Sequence, residues 1–116
     1  MLANALNAQF AHDFTPPDRV LTVLPLFHVG GLCIQTLPAL AAGAAVRLHA
    51  AFDPGAWLED VERWQPTTSL LVPATMSALH RHPGWAGADL SSLRGVMTGS
   101  SVVPEALIRP FHGRGV

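Results

Sequence analysis

The stretch RVLTVLPLFHVGG, residues 19–31, carries two signals in succession. Its first half is a leucine and β-branched run bounded by Pro17 and Pro25, which reads as a buried strand. Its second half breaks that pattern with two bulky hydrophobes, an imidazole at His28 and a glycine pair at Gly30 and Gly31. A strand that ends on a polar ring followed by residues without side chains sets both the architecture and the first place to look for chemistry.

Outward from this stretch, helical and strand patterns alternate. Upstream, Leu2, Leu6 and Phe10 recur every four residues, as on one face of an amphipathic helix that the segment TPPD terminates. Downstream, residues 29–42 are apolar on nearly every side. They read as a helix buried all round, kinked by Pro38 and closed by a left-handed Gly43. AAVRLH is a second strand. FDPGAWLEDVERW is a helix with Asp53 as N-cap, Pro54 in its first turn, and Trp57, Val61 and Trp64 on one face. TTSLLVP is a third strand, ATMSALHR a short helix, HPGWAGADLSS a loop, LRGVMTG a fourth strand, and PEALIRPFH a last helix. Continuously apolar strands alternating with helices predict an α/β fold with a mainly parallel sheet covered on both faces. Residues 1–116 are expected to be part of a larger sheet, truncated at both ends.

Composition narrows the function. At 116 residues the chain is long enough to bury about 65% of its unfolded surface. Apolar residues make up 49% and charged ones only 13%, about half the share usual in soluble domains. A net charge of −1 without a basic run argues against nucleic acid or an anionic membrane as partner, and no uninterrupted apolar stretch is long enough to span a bilayer. All seven cations are arginines, so lysine chemistry is absent from this chain. Cys33 is alone and forms no internal disulfide, in keeping with a cytoplasmic setting.

In open parallel sheets ligands gather at the carboxyl ends of the strands. Two segments fall there: His28 with its glycines, and TGSSVVP, residues 98–104. His28 is either a partly buried ring bonded to a backbone carbonyl or a ligand group; the glycines favour close approach of a ligand or of another backbone. In the second segment Gly99 permits a turn, and Ser100 and Ser101 either cap the next helix or hold a polar ligand group. A serine nucleophile fits poorly, since only Glu105 and His112 follow and G-x-S-x-G is incomplete. His80 and His82 lack metal-ligand spacing and read as a solvated helix end, so no metal ligands are assigned. Trp57 and Trp64 read as core or as a contact with another segment.

Taken together, DRVLTVLPLFHVGG, LAAGAAVRLHAAFDPGAWL, TTSLLVPATM and DLSSLRGVMTGSSVVP, in this order and spacing, resemble the adenylate-forming acyl-CoA synthetases over nearly the whole chain. The resemblance implies a partial N-terminal AMP-binding domain of a larger layered α/β protein. It implies a two-step reaction in which a carboxylic acid and ATP give an acyl adenylate and pyrophosphate, and coenzyme A then displaces AMP, with Mg²⁺ assisting and fatty acid metabolism as the setting. By motif, His28 corresponds to the gating residue beside the reacting carboxylate. Gly30, Ile34 and Gly99 correspond to the acyl pocket, and Ser100, Ser101 and Val102 to the turn against adenine, where Val102 replaces a common proline. The lysine-bearing phosphate loop, the Tyr-Gly-x-Thr-Glu segment, the ribose-binding aspartate and the catalytic lysine of this family have no counterpart in residues 1–116. The chain by itself is therefore expected to be inactive, to bind no cofactor tightly, and to self-associate through open sheet edges. The other readings are a non-catalytic module binding an acyl or aromatic ligand and a small serine hydrolase.

Overall fold

The computed structural model describes residues 1–116. The strands β1 (Arg19–Thr22), β2 (Ala45–Leu48), β3 (Thr68–Leu71) and β4 (Gly95–Thr98) form one parallel sheet in the order β2-β1-β3-β4. The helices are α1 (Leu2–His12), α2 (Leu37–Ala41), α3 (Pro54–Arg63), α4 (Pro73–Arg81) and α5 (Glu105–His112). A π-helix over Gly30–Thr36 leads directly into α2, and a 3₁₀ turn, Pro83–Trp85, follows α4. The strands lie within the apolar runs that the sequence marks, and β3 is buried at every position. In the central strands β1 and β3 side chains of both pleat directions are covered, which explains the absence of polar alternation there, whereas the edge strand β2 is largely exposed.

The chain runs from β1 to β2 in one direction and then past β1 to β3 in the other. That reversal divides the helices between the two faces. Leu21, Val23 and Leu71 pack with Trp57, Leu58 and Val61 of α3, Met76 and Leu79 of α4, and Phe111 of α5. On the other face Val20 meets Phe14, Ala39, Ala42 and Ala44. Trp57 is fully buried and its Nε1 donates to Ser69 Oγ at 3.3 Å; that hydroxyl donates to the Leu21 carbonyl at 2.8 Å, tying α3 to two strands. Trp64 is half-buried under the guanidinium groups of Arg19 and Arg47. Asp53 caps α3 by accepting from the Ala56 N–H at 2.7 Å.

Two local expectations, for the run after Val29 and for His80, are corrected. The apolar stripe of α1 does not enter this core: Leu2 and Leu6 are exposed, Phe10 is 91% exposed, and Ala5 is the helix's buried residue. A four-residue period reports that a helix has an apolar face, not which segment covers it. The run after Val29 is neither uniformly α-helical nor buried all round, since Val29 and Leu40 are exposed. In the π register the Leu37 N–H donates to Leu32 O, and the next donor would be that of Pro38, which has none. The Cys33 carbonyl that loses this partner accepts instead from Asn4 Nδ2 at 3.0 Å. Gly43 closes α2 with φ +81°, as its position predicts. Finally, His80 is not solvated: its ring lies 4.7 Å from Trp85 and 5.4 Å from Phe111, and burial together with Arg114 lowers its pKa. His82 turns back to accept from the Gly84 N–H at 3.0 Å.

At the amino-terminal edge of the sheet, Asp18 binds together three segments. Its side chain accepts from Thr67 Oγ1, from the Thr15 N–H and hydroxyl, and in bidentate fashion from Arg94 at 3.0 and 3.1 Å. Arg94 also donates to the carbonyls of His12 and Asp13, closing the carboxyl end of α1. Burial alone would raise the Asp18 carboxyl; the hydrogen bonds from Arg94, Thr67 and Thr15 outweigh it and lower the pKa to about 2.

Candidate functional site

The strands are parallel, so the segments that leave them at their carboxyl ends, 23–29 after β1 and 99–104 after β4, emerge on one rim with β3 between them. The reversal of strand order lies at β1 and β3, the position at which doubly wound sheets open a crevice. His28 stands on this rim and is exposed. Its N–H donates to Pro25 O at 3.1 Å, closing a turn, and its Nδ1 accepts from the Gly30 N–H at 3.2 Å. The ring therefore does not donate to a buried carbonyl, which removes the structural role first considered for it. An Nδ1 engaged as acceptor leaves Nε2 as the outward donor of the neutral ring.

The two glycines have different reasons. A Cβ on Gly31 would lie 2.5 Å from the carbonyl oxygens of both Leu24 and Pro25, so the backbone of the turn requires this glycine. A Cβ on Gly30 would meet Leu24 Cδ1 at 3.1 Å and Leu70 Cδ2 at 3.8 Å. Gly30 is buried and Ile34, one turn on, is half-buried.

After β4, Gly99 has open space around its Cβ position, and Ser100, Ser101 and Val102 are exposed. The left-handed residue of this turn is Ser100, φ +69°, not Gly99. The serines do not cap α5 either: the N-cap position is Pro104, with no side-chain hydrogen bond. Neither serine hydroxyl meets a histidine or a carboxylate, and Glu105 pairs with Arg109 at 2.9 Å, so a serine triad does not assemble. No cavity in the structure is lined by both His28 and residues 99–102. A cleft of about 440 Å³ flanks the β1 loop, lined by Leu24, Phe27, Leu48 and His49 among others. There His49 Nε2 meets Asp60 at 2.6 Å, and Arg47 reaches the same carboxylate. Sequence reading missed this group; a histidine at a strand end facing an acidic helix was the available signal.

The AMP-binding enzyme family profile matches residues 1–116. The chain belongs to the AMP-binding enzyme family. Within it, the indoleacetate–CoA ligase of Aromatoleum aromaticum is 52% identical over 97% of this chain, and the feruloyl-CoA synthase of an Amycolatopsis species 41% identical over 97%. The chain spans 22% and 23% of the length of these two relatives. The N-terminal domain of FACL13 from Mycobacterium tuberculosis superposes with a TM-score of 0.85 at 26% identity, covering 96% of this chain and 28% of that one. The amide bond synthetase McbA of Marinactinospora thermotolerans superposes with a TM-score of 0.78 at 30% identity, covering 97% and 23%. This AMP-binding segment thus has the parallel α/β architecture of acyl-CoA ligase N-terminal domains.

The family's cofactors can be tested against these residues. The turn at 99–102 is uncharged, open at Gly99, and its backbone N–H groups bond to no other group of the chain, which suits one wall of an adenine site. Triphosphate does not fit. Arg94, Arg63 and Arg109 are paired with carboxylates, Arg19 and Arg47 lie on Trp64, and Arg114 donates to the carbonyls of Ala86 and Ala88. Arg81, the seventh, ends α4, on the far side of the sheet from the rim. No group of three potential metal ligands converges, so Mg²⁺ has no site among these side chains.

Proposed function

We propose that this chain is a segment of the N-terminal domain of an AMP-forming ligase that joins an aromatic carboxylic acid to coenzyme A. The observation that carries the reading is the 52% identity, over almost the whole chain, to a ligase named for indoleacetate. A feruloyl-CoA synthase at 41% points to the same class of acid, and the fatty-acid setting that the sequence suggested gives way to it. In the complete protein the acid's carboxylate displaces pyrophosphate from ATP to give the acyl adenylate, and the thiol of coenzyme A then displaces AMP. His28 stands beside the reacting carboxylate, where its Nε2 donates to a carboxylate oxygen. Gly30, Ile34 and Gly99 line the acyl pocket, and Ser100, Ser101 and Val102 lie against adenine. The charge that phosphate transfer needs comes from residues outside this chain.

The test is ATP–pyrophosphate exchange by the full-length protein carrying this segment, with indoleacetate, ferulate and a long-chain fatty acid. Exchange with the aromatic acids is expected to exceed that with the fatty acid by on the order of tenfold or more. His28→Ala is expected to lower kcat/KM by roughly 10- to 100-fold through lost orientation of the carboxylate. Preference for the fatty acid would overturn the substrate class, and a silent full-length protein would overturn the ligase.

The isolated chain is expected to give no exchange and to sediment above its 12.3 kDa monomer mass, because β2 and β4 leave open edges and Leu2, Leu6, Phe10 and Leu40 lie exposed. A monodisperse monomer at high concentration would contradict the second expectation.

A further inference from the structure

His80, in the last turn of α4, is wedged against rings from two other elements. Its ring lies 4.7 Å from that of Trp85 in the 3₁₀ turn and 5.4 Å from that of Phe111 in α5, and those two rings meet edge to face at 5.0 Å. Phe111 is the one buried residue of α5; Glu105, Ala106, Arg109 and His112 are exposed. Beyond the helix, Arg114 lies over the Trp85 ring at 4.7 Å and donates to the carbonyls of Ala86 and Ala88. One aromatic plug and one arginine thus fasten α5, and both fasten it beside His80.

His80 Nε2 is enclosed and has no hydrogen-bond partner. A neutral imidazole tolerates this, because one of its nitrogens carries no hydrogen. A cationic one carries N–H on both, so the enclosed nitrogen would become a charged donor without an acceptor. The surroundings offer no compensation. On α4 itself Arg81 is the next residue, with His82 after it, and the 3₁₀ turn has no ionisable side chain. Asp89, in the loop beyond, is exposed and accepts from the Ser91 N–H at 2.9 Å. On α5 Glu105 pairs with Arg109, and His112 is exposed. The acids of α3, which also packs on α4, are Glu59 and Asp60, both ion-paired, and the exposed Glu62. Arg114 is the charge that acts on the ring, and it already occupies the Trp85 face where an imidazolium would find attraction.

We propose that His80 is the catch of an acid-sensitive latch: neutral, it holds α5 on α4 through Trp85 and Phe111; protonated, it leaves the aromatic cluster and α5 detaches. In the released form the ring meets water and takes its proton at the ordinary 6.5, whereas burial and then Arg114 resist that proton in the docked form. The latch is therefore closed above 6.5 and opens progressively as pH falls below it. The effect extends to the rim. No backbone N–H of residues 99–102 bonds to the chain, so this turn takes its position from β4 on one side and α5 on the other. That an open latch weakens nucleotide binding rests on the adenine reading above; the latch itself does not.

The experiment follows backbone hydrogen exchange of the full-length protein by mass spectrometry at about pH 7.5 and 5.5, corrected for intrinsic rates, together with exchange at the C2 position of the histidine rings, which reports their titration. Exchange of α5 amides is expected to rise several-fold at the lower pH while that of α3 stays constant, with a midpoint shared by the His80 ring. His80→Phe keeps a ring in the cluster and takes no proton, so its α5 is expected to be equally protected at both pH values. Calorimetric affinity for AMP is expected to fall more steeply with acid in the wild type than in this variant. Wild-type α5 equally protected at both pH values, a ring titration with a different midpoint, or a variant that keeps the pH response would each overturn the latch. The same pH dependence of AMP affinity in both proteins, with α5 released in the wild type, would overturn its reach to the nucleotide. AMP bound at neither pH, with α5 still released by acid, would overturn the adenine reading and leave the latch standing.

Discussion

Gly31→Ala is expected to destabilise the protein by at least about 3 kcal/mol, the upper end of overpacking costs, and to abolish acid activation by the full-length protein. The added methyl would lie 2.5 Å from two carbonyl oxygens, those of Leu24 and Pro25, and neither can yield without unwinding the loop that ends β1. Gly30→Ala is the control. Its methyl would press on Leu24 Cδ1 at 3.1 Å, the far end of a flexible side chain, so a loss of about 1 kcal/mol is expected. Urea midpoints of the two variants, with pyrophosphate exchange as the activity readout, separate the cases. Equal effects would mean that the loop and the π-helix adjust more freely than two backbone oxygens allow.

The second large effect is expected in acid. The Asp18 carboxyl, lowered to about 2 by its hydrogen bonds against the opposing effect of burial, binds its proton less readily in the folded chain than in the unfolded one. Its stabilisation is therefore complete above the ordinary value of 3.8 and is lost as pH falls from there through about 2. The shift corresponds to about 2 kcal/mol. Asp18→Asn should remove that stabilisation at neutral pH and flatten the dependence of the urea midpoint between about pH 4 and 2. His80, lowered by burial and then by Arg114, adds an earlier decline in the wild type and the variant alike, beginning as pH falls below the ordinary 6.5. If the variant kept the wild-type slope below pH 4, the acid sensitivity would belong to other carboxylates.

Much of the fold was legible because its signals are local. Pro17 and Pro25 bracket β1, Asp53 and Pro54 start α3, and Gly43 ends α2; each acts through its own backbone or the next turn. The rim position of His28 followed from strand order. What escaped depends on residues far apart in the chain. The Asp18–Arg94 pair spans 76 residues, and only the sheet brings together the positions preceding β1, β3 and β4. The π register is invisible to hydrophobic periodicity, since an apolar run looks alike at either pitch. The stripe on α1 was legible as apolar, but what covers it was not, since Leu2, Leu6 and Phe10 meet no segment of this core.

The bond from Asn4 to the Cys33 carbonyl makes two distant residues answer for one vacancy. Pro38 withholds a donor and Asn4 supplies one, so the mutational tolerance of either depends on the other. A chain carrying alanine at 38 has a helix donor for that carbonyl and can lose Asn4 at little cost, whereas a chain that keeps Pro38 cannot. The first helix is thereby a splint for the π-helix. A version begun after His12 would retain all four strands and still lose the brace that fixes the pitch of the helix behind His28.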